Sequence, residues 1–461
     1  MEASKDTIAA IATPMGRGGI GIVRISGPAA HQILERVFIP RGGAKAMEPR
    51  RLAYGEVYDH EHQGALDQAM AVFMPAPHSF TTEDVVELQC HGGPQVMHAV
   101  LDLTLREGAR LATPGEFTLR AFLNGRIDLA QAEAVCDLIE AKTPRAASLA
   151  ARQLAGVLSK QVLSIEEGLL HVLSLITVAV DFPEDADAPS NGELIQLLDQ
   201  QRLRIDELLH GAELGLSCRE GVRTALLGSV NAGKSKLMNA LLQRDRAIVT
   251  SVPGTTRDLL EEPLNIGGIP IILCDTAGLR PEEEADEVEK IGIKRSYIAL
   301  EQAQLLLLVI DASLPLSGSE RKLITETKGR RRLAVFNKAD IASQDRINAH
   351  LAAAGSMPSI VISAKTGQGM DELRDAIRQQ CGDELDAVAV SPLVNNLRHI
   401  EALREAQQHL EAAIAALGED LPCDMAGIDI ENACSALGKI TGNSVSDEVL
   451  KEIFSRFCLG K

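Results

Sequence analysis

Residues 223–228 read RTALLG, and GSVNAGKS follows at 228–235; no other stretch constrains the fold as much. The spacing is G-x-x-x-x-G-K-[ST], which works only where a strand runs through a tight loop into a helix. Gly228 and Gly233 let the loop turn so that amide N–H groups face phosphate oxygens. Lys234 supplies positive charge, Ser235 offers a hydroxyl to Mg²⁺, and the helix presents its N-terminus to the anion. A chain carrying this motif needs a parallel α/β sheet around it.

The surrounding sequence agrees. Between 222 and 380 short apolar runs (RTALLG, IPIILC, LLLLVI, LAVF, SIVI) alternate with helical stretches, the pattern of βα units. Three further motifs each follow such a run: DTAG at 275–278, NKAD at 337–340 and SAK at 363–365. Asp275 can hold Mg²⁺ through water, and the Gly278 N–H can sense a γ-phosphate. The Asp340 carboxylate would accept from guanine N1–H and the exocyclic amine, whereas adenine presents an acceptor there. Asn337 and Lys338 support the base, and the Ser363-Ala364-Lys365 backbone contacts its oxygen. Four motifs in this order indicate GTP rather than ATP. Thr256, in GTTRD at 254–258, is placed to close over Mg²⁺.

Hydrolysis needs a group to position water. The residue after DTAG is Leu279, which cannot do so, and no arginine finger is evident. The following run, RPEEEADEVEK, offers Glu282, Glu283, Glu284, Asp286, Glu287 and Glu289, and composition does not choose among them. Asn231, inside the phosphate loop, is a neutral oxygen donor. A monovalent cation held by it and by loop carbonyls is one way to supply the missing charge.

Outside this region the patterns differ. Residues 1–125 carry short strands (8–12, 19–25 and 84–90) and helical patterns near 29–37 and 95–107, a compact α+β domain. Leu154, Leu158, Val162, Ile165, Leu169, Val172 and Ile176 recur at three and four, one face of a long helix. A second helix is expected over roughly 193–216, and helical patterns resume after about 385. The expected organisation is therefore 1–125, a helical domain in two parts (126–220 and 385–461) packed as one bundle, and an α/β domain inserted at 221–384.

Composition narrows the partners. The 461 residues carry a formal net charge of −18, so any RNA contact requires a local basic patch or a complex. Aromatics are 3% with no Trp, which leaves few base-stacking platforms. The eight cysteines form no CxxC pair, as expected of reduced thiols in the cytoplasm. No signal peptide is legible at the start, the apolar run at 169–180 is too short to span a bilayer, and FCLGK fits a prenylation box poorly; no membrane association is expected.

Taken together, ATPMGRGGIGIVRISG at 12–27, SFTTEDVVELQCHGG at 79–93, TPGEFTLRAFLNGRIDLAQAEAVCDLI at 113–139, NAGKSKLMNAL, VTSVPGTTRD, DTAGLR, DEVEKIGI and the terminal FCLGK resemble the bacterial tRNA-modification GTPases of the MnmE (TrmE) family, nearly end to end. The resemblance implies an N-terminal tetrahydrofolate-binding domain that homodimerises, a discontinuous helical bundle and an inserted Ras-like G domain. It implies a heterotetramer with an FAD-dependent partner of the MnmG (GidA) type, modifying C5 of the wobble uridine of certain tRNAs with an aminomethyl or carboxymethylaminomethyl group. The one-carbon unit would come from 5-formyl- or methylene-tetrahydrofolate.

Carried over by position, the nucleotide contacts would be Asn231, Ala232, Gly233, Lys234, Ser235 and Lys236, then Thr250, Ser251, Val252, Pro253, Gly254, Thr255 and Thr256, then Asp275, Thr276, Ala277 and Gly278, and finally Asn337, Lys338, Asp340, Ser363, Ala364 and Lys365. K⁺ would be held by Asn231 with carbonyls of Thr250, Val252 and Thr255, and Mg²⁺ by Ser235 and Thr256. Glu289 takes the water-positioning role. Arg24, Glu87, Arg126 and Lys461 would line the folate site, basic groups suiting a carboxylate tail and Glu87 an amino-pyrimidine edge. Lys236, Ser229, Val230 and Arg126 differ from the residues usual in the family, and the stretch after DTAGLR is about two residues longer. A different class remains open, a GTP-gated RNA- or ribosome-binding switch without modification activity, as does a scaffold whose hydrolysis is incidental.

Overall fold

The computed structural model describes residues 6–41, 47–181, 189–229, 231–245, 261–275, 303–381, 394–419, 422–458 and 460. The chain divides into two compact units, Met1–Cys136 with Ser435–Lys461, and Asp137–Cys434.

Among the described residues the first unit is built on seven strands: β1 (Ile8–Ile11), β2 (Gly21–Ser26), β3 (Phe38–Pro40), β4 (Ala53–Asp59), β5 (Gly64–Met74), β6 (Val85–Cys90) and β7 (Arg110–Leu111). Their order is β3-β4-β5-β6-β2-β1-β7, antiparallel except where β1 meets β7. Val23, Ala69, Ala71, Val86 and Leu88 alternate onto a buried face, where helices Ala30–Val37 and Pro94–Arg106 add Ile33, Leu34, Met97 and Val100. The same alternation puts Arg24 and Glu87 on the opposite, half-exposed face, directly across from each other. The strands expected near 8–12, 19–25 and 84–90 are β1, β2 and β6; the β4–β5 hairpin, which contains an 11-residue strand, was not legible. The C-terminal residues belong to this unit. Leu450, Phe454 and Phe457 share a core with Leu129 and Ala132.

Among the described residues the second unit holds six strands: β8 (Val222–Leu227), β9 (Glu261–Ile266), β10 (Ile269–Asp275), β11 (Leu305–Asp311), β12 (Arg332–Asn337) and β13 (Ser359–Val361). The order is β13-β12-β11-β8-β10-β9, parallel apart from β9 at one edge. All seven residues of β11 are buried, as the central strand of a parallel sheet covered on both faces must be. The βα alternation expected for 222–380 thus folds into a doubly covered sheet, with the antiparallel β9 added.

Helices flank this sheet in sequence. The long amphipathic helix is Val157–Asp181; Leu158, Val162, Ile165, Leu169, Val172 and Ile176 are its buried stripe. Each large aliphatic side chain so buried contributes about 1.5–3 kcal/mol. Leu154, expected on that stripe, instead ends a separate helix, Pro144–Leu154, because the chain turns at Ala155 and Gly156. The helix expected over 193–216 is two, Asn191–His210 and Ala212–Glu220, broken at Gly211. The run at 169–180 lies in the 25-residue helix Val157–Asp181, which contains an 18-residue window of mean hydropathy 1.6; length and composition of that kind are shared by membrane spans and by core helices with a buried stripe such as this one. Helix Asn191–His210 packs along Leu397–Gly418, where Asn191 Nδ2 donates to the Leu417 carbonyl at 3.3 Å. Gln153 Nε2 likewise donates to Asn395 Oδ1 at 2.8 Å. Helices from before and after the sheet therefore form one bundle, which leaves the α/β region as an insertion.

Candidate functional site

The parallel strands set the site. β8, β11 and β12 run side by side, so the segments after Leu227, Asp311 and Asn337 emerge at one edge of the sheet. β10 joins them, with Asp275 level with Leu226. After β8 the loop turns through Asn231, at φ +66°, and Gly233, at φ +96°, into helix Lys234–Asp245. Asparagine tolerates the left-handed region through its short polar side chain. Gly233 has a second reason to lack a side chain, since a Cβ there would overlap Asn337 Nδ2.

Asn337 ties three motifs together. Its Nδ2 donates to the carbonyl of Ala232 at 2.9 Å, and its Oδ1 accepts from the Ala364 N–H at 3.0 Å. Both ends of the amide are used, as a side chain only 2% exposed requires. Asp340 is oriented by Ser363, whose hydroxyl donates to Oδ1 at 2.7 Å, and the Thr366 N–H donates to that hydroxyl at 3.2 Å. The Ala339 N–H donates to Ile362, which fixes the NKAD turn beside β13. Lys338, at φ +66°, places its Nζ 2.6 Å from Asp311 Oδ2. Lys234 Nζ donates to the carbonyls of Gly228 and Ser229 at 2.9 and 3.0 Å, so its ammonium lies over the loop.

Two contributors were not foreseen. Asp311 closes β11 opposite Asn337, and Oδ1 accepts from the N–H and hydroxyl of Ser313. Burial opposes its charge, but Lys338 and Ser313 outweigh burial and hold the carboxyl below the usual range. Glu320 is 6% exposed; it completes the capping box of helix Gly318–Glu326 with Ser317 and accepts from the Ser229 hydroxyl at 3.0 Å. The Asp-Ala-Ser turn after an apolar strand was the available signal for Asp311.

Of the expected nucleotide contacts, Asn231, Ala232, Gly233, Lys234, Ser235, Lys236, Asn337, Lys338, Asp340, Ser363, Ala364 and Lys365 lie on the P-loop, NKAD and SAK segments as placed above. Asp275 is described in its backbone alone. Thr250, Ser251, Val252, Pro253, Gly254, Thr255, Thr256, Thr276, Ala277, Gly278 and Glu289 lie outside the described residues. Ser235, at the start of the helix that follows the phosphate loop, is a hard oxygen donor of the kind Mg²⁺ takes.

A second constellation lies in the first unit. Arg24 Nε and Nη2 reach Glu87 Oε1 at 2.9 and 2.8 Å, with both side chains 17% exposed. The guanidinium stands 5.7 Å from the centre of the Phe117 ring, and its Nη1 is 3.4 Å from the Gly460 carbonyl. Gly460, at φ +88°, seats the tail on β1, where a Cβ would overlap the Ile11 carbonyl. Arg126 is exposed in the turn after helix Glu116–Leu123, and Lys461 lies outside the described residues. Arg120 in the same unit, 2% exposed, donates to Asp6, Glu83 and Glu116, so its buried charge is met by three carboxylates.

The fold and the cross-linked P-loop, NKAD and SAK segments define a G domain of the P-loop class, inserted in a helical bundle and accompanied by a separate α+β unit. Comparison with known proteins carries this further. Residues 7–126 match the family described as the GTP-binding protein TrmE N-terminus, and residues 129–458 match the MnmE helical domain. The chain is 46% identical to the tRNA modification GTPase MnmE of Roseiflexus sp. (strain RS-1), over 99% of each chain. It is 44% identical to that of Alkaliphilus metalliredigens (strain QYMF), again over 99% of each. Among solved structures it is similar to the G domain of the T. maritima FeoB iron transporter, at 28% identity over 34% of this chain and 98% of that one, with a TM-score of 0.26. The chain belongs to the MnmE family of tRNA modification GTPases.

Proposed function

We propose that this protein hydrolyses GTP in a K⁺-dependent manner and, in the cytoplasm, acts as a homodimer with an FAD-dependent partner of the MnmG type to modify C5 of the wobble uridine of certain tRNAs. The product carries an aminomethyl or carboxymethylaminomethyl group, with a 5-formyl- or methylene-tetrahydrofolate as the one-carbon source. The domain boundaries that go with this reading are 1–125, 126–220 with 385–461, and 221–384. The observation that carries it is full-length similarity to tRNA modification GTPases, joined to a base pocket in which Asn337, Lys338 and Asp340 are each held by a polar partner.

In this reading Asp340 selects guanine and Asn337 holds the P-loop against the base motif. Lys234 leaves the loop carbonyls to meet the β- and γ-phosphates. Ser235 and Thr256 would hold Mg²⁺, which supplies charge neutralisation on the phosphates when bound. Asn231 with the carbonyls of Thr250, Val252 and Thr255 would hold K⁺, which supplies the charge an arginine gives elsewhere. Glu289 orients the attacking water. Arg24, Arg126 and Lys461 face the folate carboxylates, and Glu87 accepts from the pterin amino edge. The Arg24–Glu87 pair supports this assignment, because it presents one basic and one acidic group side by side on a half-exposed sheet face.

The test is a nucleoside digest of tRNA from a strain lacking this protein, read by mass spectrometry. Loss of the wobble modification, restored by the wild-type chain and not by Glu289→Ala, is expected. Unchanged nucleosides would favour a GTP-gated RNA-binding switch.

A further inference from the structure

Each functional side chain of the NKAD segment has a polar anchor, and one of those anchors lies outside every recognised motif. Asn337 is held by Ala232 and Ala364, and Asp340 by Ser363. Lys338 is held by Asp311, which stands 27 positions earlier at the end of β11.

The geometry of that carboxylate is specific. Asp311 is level with Asn337 in the parallel ladder, and the next residue, Ala312, donates its N–H to the Asn337 carbonyl at 2.8 Å. The two strands therefore leave the sheet together. Lys338 then takes the left-handed conformation, which removes it from the ladder direction, and its ammonium returns to Asp311. One Asp311 oxygen is fixed by Ser313, at 2.9 Å from the N–H and 2.6 Å from the hydroxyl, so the other is aimed at the lysine. The Asp311 side chain is 9% exposed and that of Lys338 31%. The pair thus buries the carboxylate and leaves part of the lysine accessible.

A long lysine loses much rotamer freedom when it is held in one place. An unanchored Lys338 would sample positions over the P-loop carbonyls and the solvent. Anchored at its tip, it presents its methylenes as a fixed apolar strip two residues from Asp340, the group that reads the base edge. An apolar strip beside a hydrogen-bonding carboxylate is what a purine ring requires of a pocket wall.

We propose that Asp311 is a positioning residue of the guanine pocket, acting through Lys338. This rests on the reading of NKAD as the base-binding motif.

The experiment is a double-mutant cycle on the full-length protein, with fluorescent GDP as the probe and steady-state GTP hydrolysis as the second readout. Asp311→Asn preserves shape and removes charge. It is expected to raise the GDP dissociation constant and off-rate roughly tenfold, the worth of one charge-assisted contact. KM for GTP rises with it, while kcat at saturating GTP holds. In a Lys338→Met background, which keeps the apolar stem without the ammonium, Asp311→Asn is expected to change nothing further. An equal effect of Asp311→Asn in both backgrounds, or a fall in kcat with unchanged GDP binding, would overturn the proposal. If Asp311→Asn does not fold, Ser313→Ala in the same two backgrounds gives the same comparison: a smaller loss of affinity that needs Lys338 supports it, and a loss independent of Lys338 overturns it. The underlying reading is checked apart, by the preference of the wild-type chain for GTP over ATP and its loss in Asp340→Ala.

Discussion

The amide of Asn337 joins the Ala232 carbonyl in the phosphate loop to the Ala364 N–H in the SAK segment, across 105 positions on one side and 27 on the other. One side chain therefore fixes the separation between the part of the site that meets phosphate and the part that meets base. Asn337→Ala leaves a buried carbonyl and a buried N–H without partners, at about 1–3 kcal/mol each. Nucleotide affinity is expected to fall by roughly 100-fold or more, with a lowered Tm. Titration with fluorescent GDP and a circular-dichroism melt measure the two effects, and unchanged affinity would show that the cross-link is dispensable.

Gly233→Ala acts on the same contact from the other side. The residue sits at φ +96°, and its Cβ would meet Asn337 Nδ2. Strain and overlap together are expected to remove GTP binding while the chain still folds. A circular-dichroism melt on the same preparation separates a local effect from misfolding.

Acid sensitivity follows from Glu116. Burial pushes its pKa up, but Arg110, the Thr113 N–H and Arg120 outweigh burial and hold the carboxyl below its ordinary value. Between the lowered and the ordinary value the unfolded chain binds more protons, so stability falls as pH falls through that range and is full above an ordinary glutamate pKa of about 4.3. Glu116→Gln is expected to lower the melting temperature at neutral pH, since Arg110 and Arg120 each lose an ionic partner. It is also expected to shrink the further drop between about pH 6 and pH 3.5. Melts at the two pH values give both differences, and an equal drop in wild type and variant would contradict the role assigned to Glu116.

Thiol reactivity gives a test over the whole chain. Burial pushes Cys90 and Cys381 up to about 12 and also raises Cys218, whereas Cys458 is exposed. Thiolate is the reactive form. Alkylation at about pH 8, read by peptide mass spectrometry, is expected to modify Cys458 first and the other three only on unfolding. Early labelling of Cys381 would contradict the packing of helix Met370–Cys381 on the sheet.

What could be read in advance depended on how local its cause is. GSVNAGKS is a contiguous loop whose geometry its own residues dictate, and it sits where expected. The buried strands of the second unit were legible because a strand covered on both faces is a continuous apolar run, as LLLLVI is. The β4–β5 hairpin was not, because Asp67 and Gln68 interrupt the alternation in β5. Leu154 fits the helical spacing of the next helix, and only the turn at Gly156 separates them. Asp311, Glu320 and Arg120 were missed for one reason: each is a polar residue whose partner lies far off in sequence, Glu320 meeting Ser229 at 91 positions and Arg120 meeting Asp6 at 114. Pairings of that kind are set by tertiary structure and leave no periodic signal.

The guanine pocket is tested most directly by competition of GTP and ATP for the purified chain against fluorescent GDP, repeated with Asp340→Asn. A carboxylate that accepts from N1–H and the exocyclic amine is expected to favour GTP by roughly 10⁴-fold, because adenine turns an acceptor nitrogen toward it where guanine offers two donors. With Asn at 340 the preference is expected to move to xanthosine triphosphate, whose carbonyl replaces that amine. Comparable displacement by ATP and GTP, or a preference unchanged in Asp340→Asn, would contradict the assignment.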